Sequence, residues 1–260
     1  MTRKAIVEVK DLRVGYGEDI ILDEVSFNVY EGEVFVILGG SGCGKSTLLK
    51  AIIGLIPPYS GRIMIDDNEV SGDDETQLQM ILRKVGVLYQ GAALFGSMTI
   101  AENVALPIEE YTSLSRESVN TLVRMKLGLV NLHGYENHFP SELSGGMKKR
   151  AGLARAMALN PKILFFDEPS AGLDPITSAE LDNLILHLNK SLGTTMVIVT
   201  HELSSIFTVA QRIIMLDKRT KGIIADGDPR YLRDHSQNQF VKQFFNRQAV
   251  EEGRVEKGPR

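Results

Sequence analysis

Apolar residues occur along the chain in short runs separated by longer stretches with helical periodicity. Four runs, at residues 34–38, 85–90, 163–166 and 196–199, are rich in β-branched or aromatic side chains, which is typical of buried strands. Helices are predicted between them, one that begins at Lys45 and another with a core-facing stripe at Leu181, Leu184, Ile185 and Leu188. These elements predict an α/β fold built on an open sheet.

Two other parts of the chain are rich in strands. Residues 5–36 are predicted to form strands joined by turns, and a further short strand is expected at 62–65. Residues 212–216 and 222–225 have the pattern of a hairpin-like pair of strands. These β-rich segments flank the part of the chain in which strands and helices alternate.

The middle of the chain, about residues 91–160, is predicted to be all-helical and need not share the core of the sheet. Thr99 is expected to cap a helix that continues through Leu106 and stops near Pro107. A second helix is predicted over 115–130, with apolar residues at Val119, Leu122, Val123, Met125, Leu127 and Leu129. This part therefore predicts a helical subdomain.

A third helix of the same region is predicted to begin after Ser144, a natural N-cap. The paired glycines Gly145 and Gly146 leave the end of this helix accessible, and Asn160 with Pro161 halts it. A Ser-Gly-Gly sequence alone is a weak signal because most instances are loops. Its value here lies in the acidic strand that follows it along the chain.

The segment after the first apolar run carries the most specific chemistry. It consists of Gly39, Gly40, Ser41, Gly42, Cys43, Gly44, Lys45, Ser46 and Thr47. The glycines let backbone N–H groups converge on one anion, and the N-terminus of the following helix adds a partial positive charge. Lys45 can reach the β- and γ-phosphates of a nucleotide, and the Ser46 hydroxyl can ligate Mg²⁺. The alternative, a glycine turn with an exposed lysine, does not account for the flanking strand and helix, so a P-loop is predicted.

Two adjacent carboxylates, Asp167 and Glu168, follow the third apolar run. A buried strand would deliver both to its C-terminal edge, where they lose hydration unless a cation or a reacting water is present. The alternative is an ordinary acidic pair at the end of a strand. The P-loop earlier in the chain favours the interpretation with a cation and a reacting water.

Three single residues add to this pattern. Gln90 ends the second apolar run, and His201 follows the fourth, so both lie where the loops of an open α/β sheet meet a ligand. A lone histidine is more often structural, but the shared sheet with Asp167 favours a functional one. Tyr16 lies between two glycines and is either a turn tyrosine or a platform on which a base stacks; its position leaves both open.

Composition narrows the function classes. A net charge of −4 over 260 residues argues against a chain that wraps nucleic acid. One cysteine, Cys43, rules out an internal disulfide and indicates a reducing compartment. The N-terminus lacks the apolar core of a signal peptide, and no apolar run approaches the ~18 residues needed to cross a bilayer. A soluble, cytoplasmic protein is predicted, with any membrane role exerted through a partner.

The C-terminal part, from about residue 228, is polar apart from four residues. These residues fall on one face of a predicted helix and are Phe240, Val241, Phe244 and Phe245. That face either binds a partner or docks on the rest of the chain, and the sequence leaves the two alternatives open. Residues 251–260 are charged and contain glycine, which predicts a disordered tail.

Taken in order, these motifs resemble the nucleotide-binding subunit of ABC transporters over nearly the whole chain up to about residue 228. The matching segments are Tyr16, 39–47, Gln90, 143–147, 163–168, 171–174 and His201. The resemblance implies a P-loop NTPase cassette with a RecA-like core, an N-terminal antiparallel β subdomain and a helical signature subdomain at about 91–160. The ATPase domain would span residues 1–230, with a C-terminal extension at 231–260.

The resemblance also implies roles for residues around ATP and Mg²⁺ within one subunit. Tyr16 would stack on adenine, and Gln90 would lie near Mg²⁺ and the attacking water. Asp167 would hold Mg²⁺ with Ser46 and Gln90, and Glu168 would polarise the water. His201 would contact the γ-phosphate.

Further roles would act across a homodimer of ATPase subunits. Ser144, Gly145 and Gly146 resemble the signature that contacts the γ-phosphate bound by the opposite protomer, and Asp174 resembles the residue of the loop that bridges the dimer. Met147 replaces the glutamine that is usual after Ser-Gly-Gly. This departure puts one side-chain contact of the signature in doubt and leaves the helix N-terminus intact.

A narrower resemblance is carried by residues 90–99, 143–151 and 168–176. They are similar to the ATPase subunit of MCE-associated, Mla-type phospholipid transport systems of Gram-negative bacteria. The resemblance implies an integral membrane permease, an MCE lipid-binding protein and a STAS-domain protein as partners, and no nucleic acid. The chain would then lie at the cytoplasmic face of the inner membrane, attached through the permease.

Other functions of the same superfamily remain as alternatives, namely an ABC ATPase for another cargo and a soluble ABC ATPase outside transport. A chromosome or DNA-repair ATPase would carry a long coiled coil or zinc modules between Gln90 and Ser144. That span is too short, and one cysteine cannot form a Cys₄ site. A translation-factor ATPase would usually hold two cassettes in one chain, and a regulatory module without activity would lack Glu168.

Overall fold

The parallel strands predicted from the apolar runs form the centre of the molecule. The computed structural model describes residues 3–70 and 75–247, so the tail predicted at 251–260 lies outside the described residues. Within them the strands are β1 Ala5–Tyr16, β2 Asp19–Tyr30, β3 Val34–Gly39, β4 Ser60–Ile65, β5 Asn68–Glu69, β6 Val85–Leu88, β7 Ile163–Asp167, β8 Thr195–Val199, β9 Arg212–Asp217 and β10 Gly222–Gly227. The helices are α1 Lys45–Ile52, α2 Glu75–Leu82, α3 Ile100–Tyr111, α4 Arg116–Leu129, α5 Gly145–Ala156, α6 Pro175–Leu192, α7 Leu203–Val209, α8 Pro229–His235 and α9 Gln239–Phe245, with a 3₁₀ turn at Pro140–Glu142.

The larger sheet has the order β10-β9-β3-β8-β7-β6, and its strands are parallel except for β10. β3 and β8 are buried at every residue, which explains their uninterrupted apolar sequences. Ile37 and Asp167 both pair with Val199. The carboxyl ends of β3, β7 and β8 therefore meet at one edge of the sheet, as the sequence predicted.

The smaller sheet is antiparallel, with the order β2-β1-β4-β5. Its inward side chains join one face of the larger sheet and helix α1 in a continuous core, which contains for example Val7, Val25, Phe35 and Leu49. The opposite face of the larger sheet packs on the helices of the middle segment. The two sheets and the helices thus confirm the expected architecture of a β subdomain, a mixed core and a helical part.

The helical middle shares a core with the larger sheet. Val104, Val123 and Leu153, from α3, α4 and α5, belong to the same buried cluster as Leu88 and Leu164 of the sheet. Helix α5 makes this connection because it packs on α3, α4, α6 and β6. The helical part is consequently held against the strand that leads to Gln90.

Two details of the predicted helices were wrong. Helix α3 begins at the capping box of Thr99 and Glu102 as expected, but it continues through Pro107 to Tyr111. Pro107 removes one backbone donor, and the helix continues beyond it with Ile108 buried. Helix α5 ends at Ala156, before Asn160, because its last turn tightens into bonds such as that from the Ala158 N–H to the Arg155 carbonyl.

The apolar residues of α4 are divided between its buried side and its solvent side. Val119, Val123 and Leu127 are buried at helical spacing, whereas Met125 is 60% exposed and Leu129 37% exposed. The wider apolar set predicted for this helix therefore includes residues on its solvent side. They border an open groove between α4 and α6.

The C-terminal helix α9 docks on the chain itself. Val241 and Phe245 are buried, and Phe240 and Phe244 pack partly buried against the same core. Phe245 also contacts the ring of Phe207 in α7, with centroids 5.6 Å apart. Of the two alternatives left open by the sequence, docking within the chain is the one observed. No helix among the described residues combines the length and apolar character needed to cross a bilayer.

Candidate nucleotide site

The P-loop connects the end of β3 to the start of α1, and its shape depends on glycine at two positions. Gly39 has φ +151°, and a Cβ there would lie 2.5 Å from the Leu216 carbonyl oxygen. Gly44 has φ +102°, and a Cβ there would lie 2.9 Å from the Leu22 side chain of the β subdomain. Both positions exclude a larger residue, so the loop stays tightly curved between the two sheets.

Lys45 is folded over this loop. Its Nζ donates hydrogen bonds to the carbonyl oxygens of Gly39 at 3.0 Å and Gly40 at 3.3 Å, and the residue is 9% exposed. These two hydrogen bonds thus hold the ammonium group at the curved backbone. An anion bound there would meet a fixed positive charge and the N-terminus of α1.

Ser46 and Asp167 meet although 121 positions separate them in the chain. The Ser46 hydroxyl donates to the Asp167 Oδ1 at 3.3 Å. Burial raises the pKa of the Asp167 carboxyl above its usual value, and the neighbouring Glu168 charge acts in the same direction. A hydroxyl and a carboxylate side by side are hard oxygen ligands, which fits Mg²⁺ held by few protein groups and the phosphates.

Glu168 lies beside His201 at the same sheet edge. Its Oε1 is 2.9 Å from the His201 Nδ1, and its Oε2 is buried without a hydrogen-bond partner among the described residues. Glu168 has φ +47°, a left-handed conformation that is costly for a residue with a side chain. Its N–H donates to the Val199 carbonyl at 2.9 Å, which ties this strained turn to the central strand β8.

Most of these groups line one cavity of about 680 Å³. The lining includes residues 39–42 and 44–47 of the P-loop, together with Gln90, Glu168 and His201. Gln90 follows β6, as predicted, and faces the same space. The structure therefore brings together the predicted phosphate cradle, the predicted glutamine, the strand-end acid and the histidine from four separate parts of the sequence.

Cys43 and Asp167 are not among the lining residues, and four further predicted site residues lie away from the cavity. Tyr16 is 49% exposed at the end of β1 and pairs with Asp19 across the β1–β2 turn. Ser144 caps α5 by accepting from the Met147 N–H at 3.3 Å, and Gly145 and Gly146 are the first residues of that helix. Their proposed contacts therefore require a second protomer or, for Tyr16, the base of a bound nucleotide.

Asp174 also lies outside the cavity and caps helix α6. It accepts from the N–H groups of Ile176 at 3.0 Å and Thr177 at 3.1 Å, as the Asp-Pro sequence predicted. Thr177 fills the space in front of Gly146, where a Cβ would lie 2.4 Å from its Cγ2. The signature and the Asp174 loop thus form one packed surface. Met147 is partly buried against the core next to it.

Cys43 lies inside the P-loop and is 2% exposed. Burial raises the pKa of its thiol, which disfavours the reactive thiolate. Cys43 belongs to the P-loop but does not line the cavity, and the folded loop buries its sulfur.

The sequence analysis missed three residues that approach the site from other elements. Ile21 of β2 and Phe244 of α9 line the cavity, and Lys149 of α5 reaches the carbonyl oxygens of Gln90 and Glu168. Lys149 is three residues from Gly146, which is also buried, so helical spacing placed it on the buried face of α5. That spacing was the available signal for Lys149.

A P-loop joined to a strand-end acid pair on a mixed sheet defines a P-loop nucleotide-binding protein. Comparison with protein families gives a match to the ABC transporter model over residues 22–171. The ATP-binding protein mkl of Mycobacterium tuberculosis H37Rv, named a probable ribonucleotide transport protein, is 41% identical over 94% of this chain and 67% of its own length. The MlaF protein of Escherichia coli K12, named an intermembrane phospholipid transport system ATP-binding protein, is 38% identical over 93% of this chain and 88% of its own length.

Solved structures show the same fold. The ATP-binding cassette MJ0796, described as a dimer in a post-hydrolysis state bound to ADP and Pi, has a TM-score of 0.77 at 33% identity and covers 85% of this chain and 98% of its own. CbiO1 of Clostridium perfringens, part of the transporter complex cbiONQ, has a TM-score of 0.82 at 27% identity and covers 89% of this chain and 91% of its own. The chain belongs to the ABC transporter family, as its ATP-binding and ATP-hydrolysing subunit. The expected family and fold are thereby confirmed.

Proposed function

We propose that this chain is the ATPase motor of an ABC transporter that moves phospholipids between the inner and outer membranes of a Gram-negative bacterium. The observation that carries the motor function is the shared cavity of Lys45, Glu168 and His201, with Ser46 and Asp167 paired beside it. The phospholipid cargo is supported by the 38% identity to MlaF over most of both chains. The residues of the narrower motif at 90–99 and 143–151 support the same assignment.

Within one site, each side chain has a distinct proposed role in ATP binding or hydrolysis. The P-loop N–H groups and Lys45 bind and orient the β- and γ-phosphates, while Ser46, Asp167 and Gln90 would hold Mg²⁺. Bound Mg²⁺ would neutralise charge that develops on the phosphate oxygens. Glu168 takes a proton from the attacking water through a carboxylate oxygen, and His201 fixes that carboxylate while contacting the γ-phosphate. Tyr16 would stack on the adenine.

The signature is proposed to act in a homodimer. Ser144, Gly145 and Gly146 open α5 outside their own cavity, and the helix N-terminus has N–H groups and a partial positive charge suited to a phosphate. The comparison with the dimeric MJ0796 cassette supports an arrangement in which each signature completes the other protomer's site. Asp174, packed through Thr177 against Gly146, would lie at the same interface. Closure would then complete charge stabilisation and link hydrolysis to a large motion.

The remaining partners follow from the same proposal. A permease would dock near the segment after Gln90, where Phe95 is 50% exposed, and would place the chain at the cytoplasmic face of the inner membrane. An MCE lipid-binding protein and a STAS-domain protein would complete the system. A second candidate cargo, a ribonucleotide, is favoured by one observation, the 41% identity to mkl, which is named a probable ribonucleotide transport protein.

The test combines purification of the native complex with a variant of the P-loop. We expect the tagged chain, extracted in detergent, to co-purify with a polytopic membrane protein and with phospholipids detectable by mass spectrometry. Lys45→Ala should weaken ATP binding by about 10-fold or more, because a charge-assisted phosphate contact is lost. Unchanged ATP affinity of Lys45→Ala would contradict the assignment of the P-loop as the nucleotide site. A complex that carries nucleotides and no enriched phospholipid would favour the second cargo.

A further inference from the structure

Lys149 is a buried cation that the proposed chemistry leaves without a role. It lies on α5, five residues after Ser144, and is 5% exposed. A buried ammonium is costly unless it is well paired, since desolvation disfavours its charged form. Burial indeed lowers the pKa of Lys149, and Asp167, Glu168 and Glu202 counteract that effect through their charge. Because burial of this lysine costs desolvation free energy, we expect its ammonium group to have a role in the site.

The partners of Lys149 are backbone carbonyls of two site residues. Its Nζ donates to the Glu168 carbonyl oxygen at 3.3 Å and makes a shorter hydrogen bond to the Gln90 carbonyl oxygen. One ammonium group therefore connects the residue after β6 to the residue after β7. Both carbonyls belong to residues whose side chains face the cavity.

Strained backbone occurs at Glu168 and close to Gln90 in the chain. Glu168 has φ +47°, and Ala92 and Ala93, just after Gln90, have φ +59° and +50°. Such conformations persist only where surrounding contacts hold them. At Glu168 the holding contacts are the N–H bond to Val199 and the carbonyl bonds from Lys149 and the Ala171 N–H.

Helix α5 contacts the segment after Gln90 at three positions spaced three residues apart. Lys149 binds the Gln90 carbonyl, Gly152 lets Ala92 approach, and Arg155 donates to the Ala92 carbonyl at 2.9 Å and the Ala93 carbonyl at 2.7 Å. Of these contacts, the one from Lys149 also reaches Glu168. These contacts from α5 stabilise the strained backbone at Ala92 and Ala93. Lys149 also stabilises the strained backbone at Glu168.

We propose that Lys149 is a positioning residue that holds the backbone of Gln90 and Glu168 of its own subunit in the geometry required for hydrolysis. It touches neither water nor phosphate in this role. Its ammonium instead fixes the two carbonyls, so that the Glu168 carboxylate stays beside His201 and Gln90 stays on the cavity wall. The inference rests on the proposed roles of Glu168 and Gln90 in ATP hydrolysis.

The first experiment compares Lys149→Met with Lys126→Met in the detergent-extracted complex. Lys126, on α4, is a matched control because it is 6% exposed and its Nζ binds the Asn160 side chain away from the cavity. Lys149→Met should lower kcat by about 10²-fold, as a misplacement of catalytic groups does, with KM for ATP within about threefold of wild type. Lys126→Met should keep wild-type kcat.

A purely structural role would have a different signature. In that case Lys149→Met would lower Tm, weaken ATP binding and reduce kcat in step with the folded fraction, and the proposal would be wrong. If Lys149→Met fails to fold, Lys149→Arg decides, because its guanidinium can still donate to both carbonyls. Lys149→Arg should recover most of the activity with wild-type KM, and a folded but inactive Lys149→Arg would overturn the proposal.

A second experiment locates the effect with mixed dimers carrying two affinity tags. Glu168→Gln in one protomer leaves a single active site, whose acid belongs to the other protomer. Lys149→Met should abolish most of the remaining activity when placed in that other protomer and little of it when placed beside Glu168→Gln. A larger loss when Lys149→Met is placed beside Glu168→Gln would show action through the signature, and either that result or equal losses in both arrangements would overturn the proposal. A Lys45→Ala complex that still binds and hydrolyses ATP would refute the proposed function instead.

Discussion

Two acidic groups follow strands of this molecule, and their surroundings differ in a way that separates structure from function. Asp66 follows β4, is 8% exposed and accepts from Lys84 at 2.6 Å and from Lys162 at 2.9 Å. The hydrogen bond from Lys84 is the main reason that the pKa of Asp66 lies below its usual value. The charge of this carboxylate is therefore compensated by two lysines of the same chain.

Asp167 ends β7 and Glu168 follows it, and among the described residues no lysine or arginine forms a salt bridge with either carboxylate. Lys50 and Lys45 act on Asp167 only through their charge. Asp167 has one hydrogen bond, from Ser46, and burial raises its pKa, while one oxygen of Glu168 is buried without a partner among the described residues. Burial without compensation stores free energy that a magnesium nucleotide and a water molecule can release. The comparison shows that a buried carboxylate without a basic partner indicates a site better than its position at the end of a strand does.

The largest effect should follow from loss of the Glu168 carboxylate. Glu168→Gln keeps the shape of the side chain but removes the proton acceptor, so kcat should fall by about 10³-fold while ATP binding and ATP-driven dimerisation persist. Single-turnover hydrolysis and equilibrium binding of a fluorescent ATP analogue measure the two properties separately. Hydrolysis near the wild-type rate would remove Glu168 from the role of base.

Asp167→Asn should have the next largest effect. An amide is a weaker ligand for Mg²⁺ than a carboxylate, so activity should fall by about 10²-fold and require more Mg²⁺ for half-maximal rate. The measurement is a Mg²⁺ titration of ATPase activity at fixed ATP. An unchanged Mg²⁺ dependence would contradict the assignment of Asp167 as a ligand.

Asp66→Asn should instead affect stability alone. Removing the shared partner of two lysines should cost about 2–3 kcal/mol of unfolding free energy at pH 7. Because the pKa of Asp66 is lowered in the folded state, its contribution is present above about pH 4 and is lost as pH falls through the folded pKa. Urea unfolding at pH 7 and pH 3 measures the difference, which should be smaller at pH 3, while kcat per folded molecule stays unchanged.

Substitution of Asp182 should have the smallest effect, and it should raise the free energy of unfolding instead of lowering it. This α6 carboxyl is 4% exposed, and burial raises its pKa to about 6. A raised pKa means that the charged form is disfavoured in the folded state, so the penalty grows from about pH 4 to pH 6 and is complete above it. Asp182→Asn should therefore add about 1–2 kcal/mol at pH 7.5 and nothing below pH 4. Equal gains at both pH values would show a packing effect instead.

Local patterns along the chain were sufficient to predict most of the elements and the main chemical groups. The P-loop glycines, the acidic end of β7 and the caps Thr99, Ser144 and Asp174 depend on neighbours within a few residues, so their signals are written in short segments. The same reasoning failed where long-range packing decided the outcome, as at Pro107, where burial of Ile108 keeps the helix intact.

Only the tertiary structure decided which residues share a site. Ser46 meets Asp167, and His201 meets Glu168, because parallel pairing of β3, β8 and β7 brings their carboxyl ends to one edge. In the sequence Lys149 is one of four basic residues of α5, and only the packing of α5 against β6 places its ammonium between the carbonyls of Gln90 and Glu168. Short-range sequence therefore determined the chemical groups, whereas sheet register and helix packing determined their neighbours, because burial and charge depend on distances that cross the whole chain.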